Sequence, residues 1–345
     1  MDKKTLLMLG ISFLILAVIL YFVGINNVIE ALKTANLTII ALAILTQVFT
    51  YYLYTLRWQI LNKMADMNMS IKNLLPMVLV GLAVNNITPS GRGGGEPVRA
   101  YILAKEENHP FEETFAAVVA DRALDTFPFI VLAVITIISM ILYFDIELWL
   151  ILVMIIAVIA IIAVLILLIY MCINPGFGNR VEGWIVGLIN ILPNKDGEEY
   201  RQSIHNGIGG FQDTMRLLLS NKKILYYTIP LSFIIWVFEI IRVYLVFLAF
   251  GANVNLIVIG EVFIVASLVG MIPLLPGGIG AVDALMVIFY SAAGISYSVS
   301  AAATVIERLI SFWMTTIIGL VLLPYYGSNV LDKVSISSGS DDKDE

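Results

Sequence analysis

The sequence has 345 residues, of which 60% are hydrophobic and 13% charged, and its mean hydropathy is +0.94. Soluble domains carry about 45–50% apolar and about 25% charged residues, so this composition excludes a soluble globule and indicates a polytopic membrane protein. The net charge of −6 comes partly from the acidic end DDKDE and gives no sign of a nucleic-acid partner.

The apolar residues form blocks of about 18 to 28, long enough for helices that cross a hydrocarbon core of about 30 Å. None alternates with the period of two that barrel strands require. Residues 2–20 have the basic start and apolar run of a signal peptide, but no small-residue cleavage site follows Leu20. We therefore predict an all-α fold that begins with an uncleaved first span.

Residues 1–173 form the predicted N-terminal transmembrane half. Within it, the sequence NNITPSGRGGGEPVRAY at 85–101 is rich in Gly, Pro and charge, and short apolar segments flank it. Non-helical backbone survives at membrane depth only where protein or a wet cavity surrounds it. We therefore predict a broken, re-entrant hairpin over residues 72–106, with a functional site at the break. The full spans of this half are predicted at about Leu6 to Val23, Leu37 to Leu61, Phe115 to Phe144 and Leu148 to Ile173.

Residues 174–223 are different in kind. Ile204, Ile208 and Phe211 recur at helical spacing, while Arg201 and Asp213 lie largely elsewhere around the helix. This pattern predicts two cytoplasmic amphipathic helices lying on the membrane interface. The alternative is a small soluble subdomain.

Residues 224–325 form the predicted C-terminal transmembrane half. Its spans are predicted at about Ile224 to Phe250 and Val299 to Leu323. Between them, a second hairpin over residues 256–295 contains the break PLLPGGIG and a short helix at about Ala281 to Ala293. Residues 326–345, rich in Ser and Asp, are predicted as a disordered cytoplasmic tail. The prediction is thus about six full spans plus two hairpins.

The basic residues of the short loops predict the orientation. With a cytoplasmic N-terminus, Lys33 is the single basic loop residue outside. We therefore predict a multi-pass cell-membrane protein with both termini in the cytoplasm. The loop residues placed inside are Lys3, Lys4, Lys63, Lys72, Lys105, Arg180, Lys195, Arg201, Arg216, Lys222, Lys223 and Lys333.

The special features of the first half recur in order in the second. Arg57 corresponds to Arg242, TPSGRGGG to PLLPGGIG, and the dipeptide at 121–122 to the dipeptide at 307–308. Pro89 precedes the first acid by 32 positions and Pro276 precedes the second by 31. With the predicted orientation the two repeats are inverted. Inverted repeats with broken helices are an architecture of transporters, in which substrate binds between the breaks.

Each predicted break is followed by a helix start, where free N–H groups and a partial positive charge attract anions. Each half is thus predicted to direct an anion-binding helix N-terminus towards one central cavity. The alternative is that the glycines only permit close helix packing. Asn85 and the polar residues after it either line a headgroup pocket or satisfy the freed backbone. The candidate residues at the breaks are Asn86, Thr88, Ser90, Gly91, Arg92, Gly93, Gly94, Glu96, Arg99, Pro276, Gly277 and Gly278.

Charges inside apolar spans cost about 2.5 to 3.5 kcal/mol on insertion scales, so they should face the protein interior and pair. One interpretation is salt bridges that fasten the repeats, and another is arginines that hold a phosphate through two parallel hydrogen bonds. The two roles are compatible. The residues are Arg122, Asp125, Glu239, Arg242, Glu307 and Arg308, with Arg57 and Asp121 nearer the membrane surface. Glu239, three positions before Arg242, is placed to hold that arginine until substrate arrives.

Asp121 and Asp125, at i and i+4, resemble the carboxylate pairs that hold magnesium diphosphate in membrane prenyltransferases. The corresponding segment ERLIS of the second half has a single acid. Arg122 and Arg308 beside these acids also favour ion pairing. We therefore predict no metal site, and two histidines and one cysteine, Cys172, supply no other.

The motifs TPSGRGGGEPVRAY at 88–101, DR at 121–122, PGGIG at 276–280 and ER at 307–308 resemble a known family. It is the flippase-like membrane domain of lysylphosphatidylglycerol synthase, the multiple peptide resistance factor, and of its stand-alone relatives. The resemblance covers about residues 5–325. It implies two inverted helical halves that move a lipid with a charged headgroup between leaflets. No aminoacyl-transferring domain follows Pro324, so lipid synthesis is not implied.

The sequence therefore predicts a lipid translocator whose cavity holds a phospholipid or lipid-linked phosphate headgroup. Two alternatives remain open: a secondary transporter of a small anion, and an accessory subunit of a membrane glycosyltransferase or lipid synthase that docks through residues 174–223. No nucleophile, metal cluster or acid–base pair stands out, so we predict neither an enzyme nor a cofactor.

Overall fold

A computed structural model describes residues 33–88, 93–143, 147–191, 197–271 and 280–338. All regular secondary structure in these ranges is helical. The predicted first span and the break residues Ser90, Gly91, Arg92, Pro276, Gly277 and Gly278 lie outside the described residues. The helices are α1 (Leu37–Met64), α2 (Ile71–Ile87), α3 (Gly95–Glu107), α4 (Phe111–Tyr143), α5 (Leu148–Ile173), α6 (Pro175–Asn190), α7 (Gly197–Ser220), α8 (Lys222–Ala249), α9 (Leu256–Gly270), α10 (Ala281–Ala292), α11 (Tyr297–Arg308) and α12 (Met314–Ser338).

Five helical segments of the described chain are long and apolar enough to cross a membrane: Leu37–Met64, Phe111–Tyr143, Leu148–Cys172, Lys222–Ala249 and Tyr297–Tyr326. Each coincides with a span predicted from the sequence, and the all-α polytopic prediction is confirmed. The remaining apolar helices α2, α9 and α10 have 17, 15 and 12 residues. Helices of 15 and 12 residues are too short for a full crossing and 17 residues is at the lower limit, so the re-entrant hairpins stay a prediction.

The spans α1 and α8 form a long antiparallel pair. At one end the Asn36 amide donates to the carbonyl of Ala249 at 2.8 Å, while the Asn36 side chain caps α1 by accepting from the Thr38 amide at 3.0 Å. At the other end Arg57 donates to Ser232 at 3.1 Å. The first turn of α1 therefore lies beside the last turn of α8. The second half of α1, with Arg57, lies beside the first half of α8, with Ser232.

The helices α2 and α3 pack antiparallel through a glycine contact. A Cβ atom added to Gly95 would lie 1.9 Å from the carbonyl oxygen of Gly81, so the two backbones touch. Arg99, one turn further along α3, lies against the same glycine. Small residues at this crossing allow a closeness that no larger side chain permits.

The helices α9 and α10 form a second hairpin. The Tyr290 hydroxyl donates to the Ile259 carbonyl at 3.4 Å, which places the end of α10 beside the start of α9. Val262 and Met286 join them in a core shared with Phe247 of α8. The second hairpin therefore packs against α8. The first hairpin packs against α1, because Trp58 of α1 and Met77 of α2 belong to one core.

The helices α6 and α7 lie within residues 174–223, where two amphipathic helices are predicted, and their location at the membrane interface stays a prediction. Phe211 of α7 packs against Phe115 of α4, with ring centroids 5.8 Å apart and the ring planes tilted by 37°. In contrast, α6 turns Trp184 and Leu188 outward, and both side chains are more than 60% exposed. The pair is thus anchored to the span α4 through α7 and presents an apolar face on α6.

The last helix differs from its predicted bounds. A π-helical turn at Leu309–Trp313 follows Arg308, and the helix then continues through Pro324 to Ser338. The helix therefore extends past the end predicted near Leu323 and into the segment for which the sequence predicts disorder. A proline removes one backbone hydrogen bond and bends a helix without necessarily ending it, and Pro128 and Pro230 also lie inside helices here.

Candidate functional site

Arg57 is the centre of a charge cluster in the first half. It lies on α1 and is 1% exposed. Its Nε donates to Asp121 Oδ1 at 2.7 Å and its Nη1 to Asp125 Oδ1 at 3.0 Å. The i, i+4 spacing of the two acids puts both carboxylates on one face of α4. The acid pair thus binds an arginine, and both Arg57 and Asp121 are buried in protein.

Arg99 connects the first hairpin to this cluster. Its Nη2 donates to Asp121 Oδ2 at 2.9 Å, and its guanidinium lies 4.4 Å from the centre of the Trp58 ring. Because Asp121 also binds Arg57, one carboxylate ties α1, α3 and α4 together. Arg99 is therefore held by an ion pair and a cation–π contact.

Arg242 is the centre of the corresponding cluster in the second half. It lies on α8 and is 1% exposed. Its Nη2 donates to Glu307 at 2.7 Å, and its Nη1 donates to Glu239 and to Gln47. The expected contact between Glu239 and Arg242 is therefore present, and Glu307 is a second acid on the same guanidinium.

The two clusters correspond position by position. Arg57 binds Asp121, and Arg242 binds Glu307, as the matched positions in the sequence suggested. The neighbouring contacts also match: Gln47 lies ten positions before Arg57 and contacts Arg242, while Ser232 lies ten before Arg242 and contacts Arg57. Each arginine thus receives a polar group from the equivalent position of the other half.

A second matched pair of contacts lies at the starts of α3 and α10. Arg122 Nη2 lies 2.9 Å from Glu96 Oε1, and Arg308 Nε lies 2.8 Å from Asp283 Oδ1. Both acids are in the first turn of their helix, which stabilises a helix N-terminus. The sequence reasoning missed Asp283. Glu96 precedes Asp121 by 25 positions and Asp283 precedes Glu307 by 24, so the repeat spacing could have found it.

Asn85 and Asn86 hold the two sides of the first break. Asn85 Oδ1 accepts from the Gly95 amide at 2.6 Å, so it binds a free N–H group at the start of α3. Asn86 Nδ2 donates to Thr316 at 2.9 Å on α12. The Thr88 hydroxyl donates to the Val84 carbonyl of its own helix at 2.8 Å. These side chains satisfy backbone and neighbouring helices, one of the two roles expected of them, while Gly93 and Gly94 precede α3.

A polar cavity of about 150 Å³ lies between the two clusters. Its wall includes Tyr51 and Thr315, which hydrogen-bond each other across α1 and α12. A smaller cavity of about 30 Å³ lies beside Arg57 and Arg99, and the two share Tyr54, Asn85 and Arg122 as lining residues. The other polar residues that line the larger cavity are Gln47, Asn86, Asp125, Glu239, Arg242, Ser267, Glu307, Arg308 and Ser311.

The charges around these cavities are nearly balanced. Five arginines face six acids in the described part of the site. An anion that binds here must therefore displace a carboxylate from an arginine or bring a cation of its own. Among these five arginines Arg122 is the most exposed, with 36% of its side chain accessible, against 11% for Arg99 and Arg308 and 2% or less for Arg57 and Arg242.

Comparison with known proteins supports the membrane assignment. A family model described as the lysylphosphatidylglycerol synthase TM region matches residues 6–319. A UPF0104 membrane protein of Methanothermobacter thermautotrophicus is 47% identical over 97% of this chain and 99% of its own. Similar proteins of Methanocaldococcus jannaschii and Pyrococcus horikoshii are 31% and 28% identical, over 93% and 94% of this chain and 94% and 97% of theirs.

Proposed function

We propose that this chain, which belongs to the family of the lysylphosphatidylglycerol synthase transmembrane region, is an integral membrane lipid translocator. It moves a phospholipid or a lipid-linked phosphate headgroup between leaflets. The observation that carries the proposal is the polar, arginine-lined cavity at the meeting point of the spans α1, α4 and α8. In this proposal the headgroup occupies the cavity while the hydrocarbon chains stay in the bilayer.

Arg122 and Arg308 are the proposed headgroup ligands. Both line the larger cavity, and their side chains are more accessible than those of Arg57 and Arg242. A guanidinium can bind two phosphate oxygens at once, and a phosphate takes the place of Glu96 or Asp283. Because the site is charge-balanced, a zwitterionic headgroup fits it better than a purely anionic one. Arg57 and Arg242, buried and bound to two acids each, fasten the helices.

The proposal includes an inverted repeat. It is supported by the reciprocal contacts of Gln47 with Arg242 and of Ser232 with Arg57, because a two-fold axis between α1 and α8 exchanges these contacts. The axis is perpendicular to an antiparallel pair of spans, so it lies in the membrane plane, as in transporters with inverted-topology repeats. The hairpins α2–α3 and α9–α10 are then re-entrant from opposite sides, with both termini of the chain in the cytoplasm of a cell-membrane protein.

Leaflet exchange in reconstituted vesicles tests the function. Purified protein is inserted into vesicles that contain a trace of one labelled lipid, which is a zwitterionic phospholipid, an anionic phospholipid or a lipid-linked sugar. The label in the outer leaflet is then destroyed chemically. We expect faster exchange with the protein than with empty vesicles, and fastest for a zwitterionic headgroup. Exchange equal to that of empty vesicles, for phospholipids and for lipid-linked sugars alike, contradicts the proposal.

The exposed apolar face of α6 supports a second candidate, an accessory subunit of a membrane glycosyltransferase or lipid synthase. Trp184 and Leu188 are 63% and 65% exposed on this face, and Ile191, directly after the helix, is 77% exposed. The alternative is that this face of α6 rests on the membrane surface. Replacing Trp184 and Leu188 by serine distinguishes the two roles. Loss of a co-purifying glycosyltransferase or synthase, with leaflet exchange unchanged, supports the accessory role.

A further inference from the structure

Glu261 differs from the other buried acids between the helices. Asp121, Asp125, Glu239 and Glu307 each have an arginine nitrogen within 3.0 Å. Glu261, on the apolar helix α9, is only 5% exposed. In the part of the chain that the structure describes, it forms no ion pair, and its Oε1 has no hydrogen-bond partner.

The surroundings of Glu261 are an apolar groove of about 460 Å³ between α4, α8 and α9. From α4 the groove is lined by Leu132, Ile135, Thr136 and Ser139, and from α8 by Val237, Ile240 and Ile241. These facing residues include no titratable or charged group. The groove is separate from the polar cavity, because the two have no lining residue in common.

We expect the edge of this groove to face the hydrocarbon of the bilayer, because its exposed residues are apolar. Ile135 is 56% exposed, Val237 49% and Ile257 64%, and all three lie on apolar helices. A carboxylate without a counter-ion is costly in such a place, whereas a neutral carboxyl group is tolerated. The groove also lacks the arginines that a phosphate needs. The smallest cation, a proton, is therefore the ligand that fits Glu261.

We propose that Glu261 is a proton-binding site that couples proton movement to translocation; the coupling role rests on the proposed function, but proton binding does not. The Glu261 carboxylate takes a proton from hydronium to give a carboxylic acid and water, and releases it by the reverse step. Its position on α9, the first arm of the second hairpin, links its charge to the packing of that hairpin against α8. The corresponding stretch of α2 has no acid, so the site belongs to one half of the repeat.

A hydrophobic carbodiimide tests proton binding directly. Such a reagent partitions into the bilayer and reacts with protonated carboxyl groups, whereas carboxylates that are paired with arginine stay unreactive. The full-length protein in vesicles is treated with dicyclohexylcarbodiimide over a range of pH, and the modified residue is mapped by peptide mass spectrometry. We expect modification at Glu261 that decreases as the pH rises. Absence of the adduct at Glu261, or labelling that does not depend on pH, overturns the proposal, and this readout needs no variant.

The coupling is tested separately by leaflet exchange with and without a pH gradient. We expect the gradient to accelerate exchange by the unmodified protein and by the control Glu199→Gln, which changes an exposed residue of α7. Glu261→Gln should lose this acceleration. Acceleration that persists in Glu261→Gln overturns the coupling. Labelling of Glu261 in a protein that exchanges no lipid refutes the translocator but leaves the proton site, so the two failures are distinguishable.

Discussion

Arg57 on α1 donates a hydrogen bond to Ser232 on α8 at 3.1 Å, and the equivalent arginine of the second half, Arg242, donates to Gln47 on α1. The contact is therefore made twice, once in each direction between the same two helices. An isologous interface between two copies of a fold has this form, with residue i touching j and j touching i. Inside one chain it favours a two-fold relationship between the halves.

Removal of Arg242 should destabilise the protein strongly. Arg242→Ala leaves Glu307 and Glu239 buried without their cation, and breaking a buried pair in this way costs about 3–5 kcal/mol. Thermal unfolding in detergent measures the loss. The control is Arg216→Ala, whose 38% exposed side chain pairs with Asp213 three positions away; it should change stability by no more than about 0.5 kcal/mol. Equal stability of the two variants contradicts the central role of Arg242.

Gly95→Ala should separate α2 from α3. The new methyl group meets the Gly81 carbonyl at 1.9 Å, and backbone shifts of this kind cost about 1–3 kcal/mol, which exceeds the helix propensity gained from alanine. Because Glu96 lies next to this contact, leaflet exchange should fall as well. Gly183→Ala is the control, since a Cβ at this helical position of α6 meets nothing within 4 Å. Similar unfolding temperatures for both alanine variants are incompatible with the close crossing.

Arg122→Ala should slow leaflet exchange strongly while the protein stays folded. A hydrogen bond to a charged group contributes about 1.5–3 kcal/mol, so we expect at least about tenfold weaker headgroup binding. Arg122→Lys keeps the positive charge but cannot bind two phosphate oxygens in the same plane. Its exchange rate should therefore lie between those of the unmodified protein and Arg122→Ala. The headgroup dependence of the exchange rate is the measurement, with Arg216→Ala as the control. An unchanged rate in a folded Arg122→Ala protein removes Arg122 from the proposed site.

The inverted repeat predicts the sides on which two loops lie. Lys105, near the end of α3, and Ser296, before α11, should face opposite sides of the membrane. A Cys172→Ala protein that carries Lys105→Cys or Ser296→Cys is treated with a membrane-impermeant thiol reagent from each side. We expect Lys105→Cys to react from the cytoplasmic side and Ser296→Cys from outside. Reaction of both from one side rules out the inverted arrangement.

Acid should loosen α6 from α7. Glu182 of α6 accepts from His205 at 2.8 Å and from Arg201 at 2.9 Å, and these hydrogen bonds, His205 first, lower the pKa of the Glu182 carboxyl. A lowered folded-state pKa means that the stabilisation is present above the unfolded pKa of about 4.3 and is lost as the pH falls through the folded value. Hydrogen exchange of α6 should therefore accelerate below about pH 4, and less so in Glu182→Gln. Exchange that is independent of pH in that window, after correction for the intrinsic rate, contradicts the contact.

Much of the candidate site was predictable from particular residues. The matched positions of Arg57 and Arg242, and of Asp121 and Glu307, were visible in the sequence, and the structure joins each arginine to its acid. Asp283 was also accessible through the repeat spacing, although sequence reasoning did not use it. Gln47 and Ser232 were not, because a glutamine and a serine in an apolar helix carry no signal until the facing helix is known.

Other features depended on packing that no local pattern shows. Glu261 stands in an apolar helix as Glu239 does, yet Glu239 contacts an arginine and Glu261 lines an apolar groove. Each is the single acid of its helix, and this pattern does not distinguish the surroundings of Glu239 from those of Glu261. The last helix also continues past its predicted end near Leu323, through Pro324 to Ser338, although the composition of this stretch is polar.

The sequence by itself determined that the chain is helical and crosses a membrane, because apolar runs of this length can satisfy their backbone in a bilayer only as helices. It also determined which charges lie within the spans, since that follows from position alone. The tertiary structure decided which of those charges are bound to each other. Arg57 meets Asp121 across 64 positions and Arg242 meets Gln47 across 195, and contacts at such separations are set by how the helices pack. Packing likewise separates the accessible Arg122 from the buried arginines and leaves Glu261 without a partner among the described residues.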